Sequence, residues 1–283
     1  MTIKEVLQIG VAFAHDGMDQ LELEVLLSHV LSKTKEYLFA HSEEEVSNDD
    51  IEKFTSLVKR HLHGEPIAYL TGEKEFYGIA LNVDDRVLIP RPETEYLVDL
   101  VIKTVKLKND DDIIKVLDVG TGSGNIAVAI ACNLKNVQVT ACDVSLDALK
   151  VAEKNINRYN LKDKVVLVHS DLLKNIGDLK YEIVVTNLPY IGTEKHSFVS
   201  RETQSYEPHK ALFGGFDGLR IYEDLFEQMS RRKNTPEYIF GEMGFLQGHD
   251  LKKILKQFYP NASVSIEKDL SGLDRYFIIK NLC

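Results

Sequence analysis

The sequence predicts an α/β protein: a doubly wound, mostly parallel sheet of seven strands, preceded by a small all-helical domain. Three observations carry this. From residue 113 onward, short β-branched runs alternate with amphipathic stretches, the pattern of a parallel sheet covered on both faces. One of those runs passes straight into a glycine-rich turn that opens a helix. Residues 1–70, by contrast, show only the 3.6-residue period of helices, with capping signals ahead of it. A chain of 283 residues accommodates one or two domains and a sizeable core.

Taken in order, Thr2-x-x-Glu5 and Asp19-x-x-Glu22 read as capping signals. They precede Ile3, Val6, Leu7 and Val11, then Leu23, Leu26, Leu27 and Val30, each set on one helical face. Gly17 suits the end of the first helix. Ser47 is placed to cap a helix carrying Ile51, Phe54, Leu57, Val58 and Leu62, which stops at Gly64; Pro66 opens a further short element. Residues 1–71 are therefore expected to form a helical domain. Around Gly78, Glu75 to Val83 predicts a β-hairpin, so residues 72–90 are expected to link that domain to a larger one over 91–283. Pro92 and Glu93 suit a helix's first turn. Strands are then expected at 113–119, 137–142, 165–169, 183–186 and 238–241. A closing antiparallel pair is expected at 264–268 and 275–279. Helices are expected at 126–134, 145–159, 219–229 and 247–258.

Composition narrows the function. Hydrophobic content is 44%, charged content 28% and formal net charge −10, as in a soluble protein. Residues 1–75 hold 7 Lys and Arg against 15 Asp and Glu. That balance disfavours a sequence-independent grip on a phosphate backbone, which needs clustered cations; it suits either a solvated face or docking of a basic protein. No apolar run reaches a membrane span, and the first residues lack a signal-peptide pattern. Three cysteines without a close pair, Cys132, Cys142 and Cys283, point to reduced thiols in the cytoplasm. Cys132 and Cys142 sit in apolar runs and are expected in the core. His61 and His63 do not share a helix face, and no metal site is expected.

The chemistry-bearing stretch is Tyr181-Glu-Ile-Val-Val-Thr-Asn-Leu-Pro-Tyr190. An apolar β-branched run stopped by Asn and Pro is a strand with a forced break. Ligands of open α/β sheets bind outside the carboxyl ends of the strands. Asn187 there offers an acceptor and two donors to a planar amide edge. Pro189 holds Leu188 extended, and Tyr190 adds a flat face with a polar tip. The bland alternative is an Asn-x-Pro turn without further purpose. Upstream, Gly120-Thr121-Gly122-Ser123-Gly124 lets the backbone approach a ligand closely. Its spacing is neither the phosphate-cradling nor the dinucleotide pattern. Asp143 ends the next strand, nineteen residues after Gly124, where a carboxylate can accept from ribose hydroxyls; its alternative is a helix cap before Ser145. Asp171 and Leu172, after the third strand, are placed near an adenine. The sheet edge thus offers a nucleoside site, with Asn187 beside it.

These features resemble a known family. The glycine turn looks like methyltransferase motif I, and Asn187-Leu-Pro-Tyr190 looks like the Asn-Pro-Pro-Tyr motif of enzymes that methylate planar nitrogen. Gly64-Glu-Pro-Ile-Ala-Tyr-Leu70, Leu88-Ile-Pro-Arg-Pro-Glu-Thr-Glu95, Tyr206-Glu-Pro208, Gly214-Gly-Phe-Asp-Gly-Leu219 and Asp269-Leu-Ser-Gly-Leu-Asp-Arg275 resemble segments of the peptide chain release factor glutamine methyltransferases, the PrmC/HemK family. The resemblance runs nearly the whole chain. It implies S-adenosylmethionine as cofactor, a monomer in the cytoplasm, class I release factors as partners, and N5-methylation of the glutamine in their Gly-Gly-Gln motif. It implies that Gly120, Thr121, Gly122, Ser123, Gly124, Asp143, Asp171, Leu172 and Asn187 hold the cofactor. Asn187, Leu188, Pro189 and Tyr190 would then carry the transfer. One departure stands out: the family usually has Pro where this chain has Leu188. Since the carbonyl is retained, substitution of Leu188 by Pro is expected to be tolerated. Two other readings remain at this stage: a nucleic-acid methyltransferase acting on adenine N6 or guanine N2, and a cofactor-binding scaffold without activity.

Overall fold

The computed structural model describes residues 1–14, 18–108 and 112–282; the helix end expected at Gly17, and Cys283, lie outside them. The chain divides into two units, Met1–Glu73 and Lys74–Cys283.

The first unit is helical: α1 (Ile3–Ala14), α2 (Gln20–Leu31), α3 (Lys35–Ala40), α4 (Asn48–Leu62) and α5 (Ile67–Thr71). The capping signals form as the sequence predicts. Thr2 and Glu5 exchange bonds, Glu5 N–H to Thr2 Oγ1 at 3.3 Å and Thr2 N–H to Glu5 Oε2 at 2.9 Å. Asp19 and Glu22 make the same reciprocal pair ahead of α2, and Ser47 caps α4. Each satisfies amides that a helix start leaves without intrahelical partners. Ile3, Val6, Leu23, Leu26, Leu27, Phe54 and Val58 close the core. Val11, expected on the same stripe, is exposed.

The second unit begins with a hairpin, β1 (Glu73–Phe76) and β2 (Ile79–Asn82). Its two-residue turn has positive φ at both Tyr77 and Gly78, the geometry that matches strand twist. The hairpin is more than a linker: Phe76 and Leu81 are buried in this unit's core with Leu97, Val98 and Val101. A 3₁₀ turn (Pro92–Thr94) leads into α6 (Glu95–Lys106). Then come β3 (Ile114–Val119), α7 (Asn125–Asn133), β4 (Val137–Asp143), α8 (Leu146–Arg158), β5 (Val165–His169) and β6 (Ile183–Thr186). Two short helices not foreseen from periodicity follow, α9 (Arg201–Tyr206) and α10 (His209–Leu212). The unit ends with α11 (Arg220–Ser230), β7 (Tyr238–Glu242), α12 (Gly248–Phe258), β8 (Ser263–Lys268) and β9 (Asp274–Lys280).

The seven strands lie in the order β5-β4-β3-β6-β7-β9-β8. All neighbours are parallel except those of β9, which runs antiparallel to β7 and β8. The central strands read as unbroken apolar runs because both faces are covered; all four residues of β6 are buried. Cys142 is buried but Cys132 is exposed, against expectation. The run Ile126 to Ala131 is buried throughout, so periodicity could not show which side of the last turn met solvent.

Register places the site. Val119 on β3 pairs with Cys142 on β4 and Thr186 on β6, and Thr186 pairs with Gly241 on β7. One residue further along each strand, Asp143, Gly120, Asn187 and Glu242 form a single row across the carboxyl edge. Neighbouring strands are roughly 4.8 Å apart, so the row is compact enough to act on one ligand pair.

Candidate active site

The glycine turn after β3 is held by its neighbours. The amides of Gly120 and Thr121 both donate to the Cys142 carbonyl, at 2.8 and 2.9 Å. The Gly122 amide donates to Asp143 Oδ2 at 2.9 Å. Asp143 Oδ1 accepts the Ser145 amide at 2.8 Å, and Ser145 caps α8. Asp143 therefore fills the helix-entry role that sequence left open, and it also faces the cleft. The carboxylate has about four lone-pair sites, so the Gly122, Ser145 and Val144 amides that contact it leave capacity for a further donor. Burial pushes its carboxyl above the ordinary range. Beneath the turn, fully buried Asp118 accepts the Thr121 hydroxyl at 2.6 Å; burial drives its carboxyl up to about 7.

From the other side, Asn155 braces the turn. Its Nδ2 donates to the carbonyls of Ser123 (2.8 Å) and Asn82 (3.0 Å), and its Oδ1 accepts the Asn82 amide at 2.7 Å. The hairpin is thus tied to the glycine turn. Gly120 has φ +77°, and a Cβ there would lie 2.8 Å from Leu188 Cδ2. Only glycine permits both that conformation and that approach.

A cleft of ≈ 360 Å³ opens over this turn, lined by Gly120 to Ser123, Asp143, Asp171, Leu172, Asn187, Leu188 and Pro189 among others. All the sequence-predicted residues except Gly124 and Tyr190 border it. Gly124 has φ +79° at the start of α7 and lies against Ala152. Asp171 is exposed and paired with Lys174 at 2.5 Å. A second cavity of ≈ 200 Å³ lies beyond, lined by Tyr190, Phe198, Thr203, Leu212 and Glu242. The two share a wall that includes Leu88, Arg91, Asn187, Leu188 and Pro189.

That wall rests largely on residues to which sequence reasoning gave no role in the site. Asn187 Nδ2 donates to Thr94 Oγ1 at 2.9 Å and to Glu242 Oε2 at 3.1 Å. Thr94 Oγ1 donates to the same Glu242 oxygen at 2.7 Å. The Tyr190 hydroxyl donates to Glu242 Oε1 at 2.8 Å. The Tyr222 hydroxyl donates to the Glu242 carbonyl and accepts the Leu188 amide at 3.3 Å. Glu242 is 1% exposed, and burial raises its carboxyl and lifts Tyr190 well above the usual phenol range. Gln247 Nε2 donates to the Tyr190 carbonyl at 2.7 Å. Gly218, at φ +82°, sits so close to that carbonyl that a Cβ would lie 2.0 Å from it. Arg91 pairs with buried Glu207, which also accepts the Ile89 amide at 3.1 Å. Two signals were available: Glu242 is an acid ending an apolar strand as Asp143 does, and Arg91, Thr94, Glu207 and Gly218 lie in the segments that carry the family resemblance.

The Leu188 position departs from expectation. Its amide is engaged by Tyr222, and its side chain is 4% exposed among Leu117, Val119, Leu172 and Tyr222. Proline would forfeit both, which argues against the expected tolerance and makes a loss of stability the outcome to test.

Comparison with known proteins places this geometry. The family model described as PrmC N-terminal domain matches residues 8–72, and the Methyltransferase small domain matches residues 98–203. The release factor glutamine methyltransferase of Bacillus cereus is 34% identical, over 97% of this chain and 98% of its own length. A bifunctional methyltransferase of Rickettsia felis is 35% identical over 92% of this chain but 54% of its own length. The chain thus spans about half the length of the Rickettsia relatives it matches. Among solved structures, the N-terminal domain of human METTL16 in complex with SAH shares the fold: TM-score 0.54 at 15% identity, covering 90% of this chain and 93% of that one. A match of both family segments, and a relative aligned end to end at 34% identity, mean that the chain belongs to the release factor glutamine methyltransferase family.

Proposed function

We propose that this protein transfers a methyl group from S-adenosylmethionine to the side-chain N5 of the glutamine in the Gly-Gly-Gln motif of class I peptide chain release factors, in the cytoplasm. The observation that carries the reading is Asn187, standing in the wall common to the two cavities. One cavity suits a nucleoside, the other a flat side chain.

The residues present fit the cofactor. The cradle is open at Gly122, where an added Cβ would meet nothing within 4 Å. The free lone pairs of Asp143 suit ribose hydroxyls. Val87, Val144 and Leu172 give the cleft apolar walls. Bound there, S-adenosylmethionine supplies a methyl group carried on a positively charged sulfur.

The protein's part is positioning. A glutamine amide nitrogen is a weak nucleophile because its lone pair is delocalised. Asn187 Oδ1 accepts one of its N–H bonds, and an Asn187 N–H donates to the glutamine carbonyl. The Leu188 carbonyl accepts the other N–H. Tyr190 packs against the flat group. Held so, the nitrogen faces the methyl in line, and orientation supplies most of the acceleration. As the new N–C bond forms, positive charge develops on nitrogen, and the surrounding acceptor dipoles stabilise it. The extra proton leaves to water.

The acidic first unit, with 6 Lys and Arg against 14 Asp and Glu over residues 1–73, supports a docking role towards a basic protein surface. The test is incubation with methyl-labelled S-adenosylmethionine and purified release factor, then mass mapping of the product. DNA and RNA serve as parallel substrates, and a chain starting at Lys74 as a parallel enzyme. Label on the Gly-Gly-Gln glutamine, poorly transferred by the shortened chain, is the expected result. Label on nucleic acid, or on no substrate, overturns the reading.

A further inference from the structure

Asn187 can do its work only if its amide faces the right way. An Asn side chain has two nearly isosteric orientations, with Oδ1 and Nδ2 exchanged. A reversed Asn187 would meet the substrate with donor and acceptor interchanged. Something must fix the choice, and the fold supplies it on the neighbouring strand.

Glu242 Oε2 and Thr94 Oγ1 lie 2.7 Å apart and are 3.1 and 2.9 Å from Asn187 Nδ2. These distances set the two acceptors about 50° apart as seen from Nδ2, less than half of the roughly 120° between the two N–H bonds of a planar NH₂ group. One N–H shared between them therefore serves both, which leaves the second for the substrate. The three hydrogen bonds also form a closed triangle whose donors all lead towards Glu242. Thr94 Oγ1 accepts from Asn187 and turns its own proton to Glu242. Glu242 accepts from both, and from Tyr190 through its other oxygen. An ionised carboxylate is an acceptor without a donor. With Asn187 reversed, Oδ1 would face a carboxylate oxygen at about the same distance, and a buried acceptor pair would replace a charge-assisted bond. Glu242 also reaches the loop a third way, through its carbonyl, which holds the Tyr222 hydroxyl that accepts the Leu188 amide. One residue at the end of β7 therefore fastens the side chains of Asn187 and Tyr190 and the backbone of Leu188.

We propose that Glu242 is the positioning residue of this site: its buried carboxylate sets the orientation of the Asn187 amide, leaving Oδ1 and one N–H to the substrate. The inference rests on the methyl-transfer reading for its kinetic consequence, but its structural content is independent of it. A second consequence follows from charge. A carboxylate lying behind Asn187 gains a favourable partner as the substrate nitrogen becomes positive, an interaction stronger in the transition state than in the ground state.

Glu242→Gln is nearly isosteric and removes the charge and the acceptor-only character. In the full-length protein it is expected to lower kcat for release factor roughly 10- to 100-fold. The KM for release factor and the calorimetric affinity for S-adenosylmethionine should change less than about threefold, since the residue acts on neither binding step. A packing role would instead move affinity and melting temperature together. The second measurement needs no turnover. In the ligand-free protein, the Asn187 side-chain amide, assigned by its loss in Asn187→Asp, should show one proton shifted downfield by its carboxylate partner. Glu242→Gln should abolish that shift. Should that variant not fold, Thr94→Val removes the companion acceptor without altering charge; it should lower kcat severalfold and move the same resonance. A kcat within twofold of wild type with the resonance unmoved overturns the proposal. A wild-type protein inactive on release factor would instead overturn the functional reading, while the resonance still tests the role of Glu242.

Discussion

The glycine turn meets the Asn187 loop where Gly120 lies against Leu188, and this contact can be tested by a double-mutant cycle. Gly120→Ala imposes two costs. An L-residue at φ +77° carries about 1–2 kcal/mol of strain. Its Cβ would lie 2.8 Å from Leu188 Cδ2, on a side chain that is itself buried; overpacking of this kind costs about 1–3 kcal/mol. The variant should lose about 2–5 kcal/mol of stability and, because Leu188 must move with its carbonyl, kcat as well. Leu188→Ala alone should lose about 2–5 kcal/mol, as buried Leu truncations do. Combined, the two should cost less than their sum. Without Cδ2 the overpacking vanishes and only the φ strain remains, giving a coupling of about 1–3 kcal/mol. Denaturant unfolding followed by circular dichroism measures stability, and calorimetry follows cofactor affinity in parallel. If the two losses add to within about 0.5 kcal/mol, the two loops are not in the contact described and the reasoning fails.

Four further outcomes are expected. Asn187→Asp should reduce turnover by about 10² or more with cofactor affinity nearly intact, since it sets a second carboxylate against Glu242 and cannot donate to the glutamine carbonyl; near-normal kcat would refute the paired amide grip. Asp143→Ala should weaken S-adenosylmethionine binding by about 1–3 kcal/mol by calorimetry; unchanged affinity would remove Asp143 from ribose recognition. Asp118, raised by burial to about 7, holds its proton more tightly folded than unfolded. It therefore contributes a stability that falls as pH rises from the usual carboxylate range through about 7, and Asp118→Asn should flatten that slope in unfolding midpoints measured at about pH 5.5 and about pH 8. Leu188→Pro should cost about 2–4 kcal/mol in denaturant unfolding, from the lost amide bond to Tyr222 and the lost buried side chain; an unchanged midpoint would show that neither matters.

Most of the sheet was legible because each strand carries its own local signal. Strands 165–169 and 183–186 fall where β-branched runs predict them, and the glycine turn announces itself by composition. What escaped was of two kinds. Cys132 was misplaced because α7 is apolar nearly all round, and a period cannot be read where every position is apolar. The short helices α9 and α10, of six and four residues, are too brief to show a period at all. The support of the site escaped for another reason. Thr94 and Glu242 are 148 residues apart, Arg91 and Glu207 116 apart. Such pairings exist only once strand order is known.

Strand order also explains why this support is where it is. β6 lies between β3 and β7, so whatever follows β6 has two neighbours in the same row: the glycine turn on one side, the end of β7 on the other. The first must be small, because Leu188 packs directly onto Gly120. The second must be polar, because Asn187, Thr94 and Tyr190 all turn donors towards it; an apolar residue at 242 would take the acceptor from the Thr94 and Tyr190 hydroxyls, at about 1–3 kcal/mol each, and leave Asn187 with Thr94 alone. Leu188 belongs to the same logic. With its amide held by Tyr222 and Tyr222 held by the Glu242 carbonyl, the loop gains from a hydrogen-bond chain the restraint that a proline would have supplied through its ring. The two devices exclude one another, since proline has no amide to donate. A chain with Leu at this position therefore depends on Tyr222 more than one with Pro does.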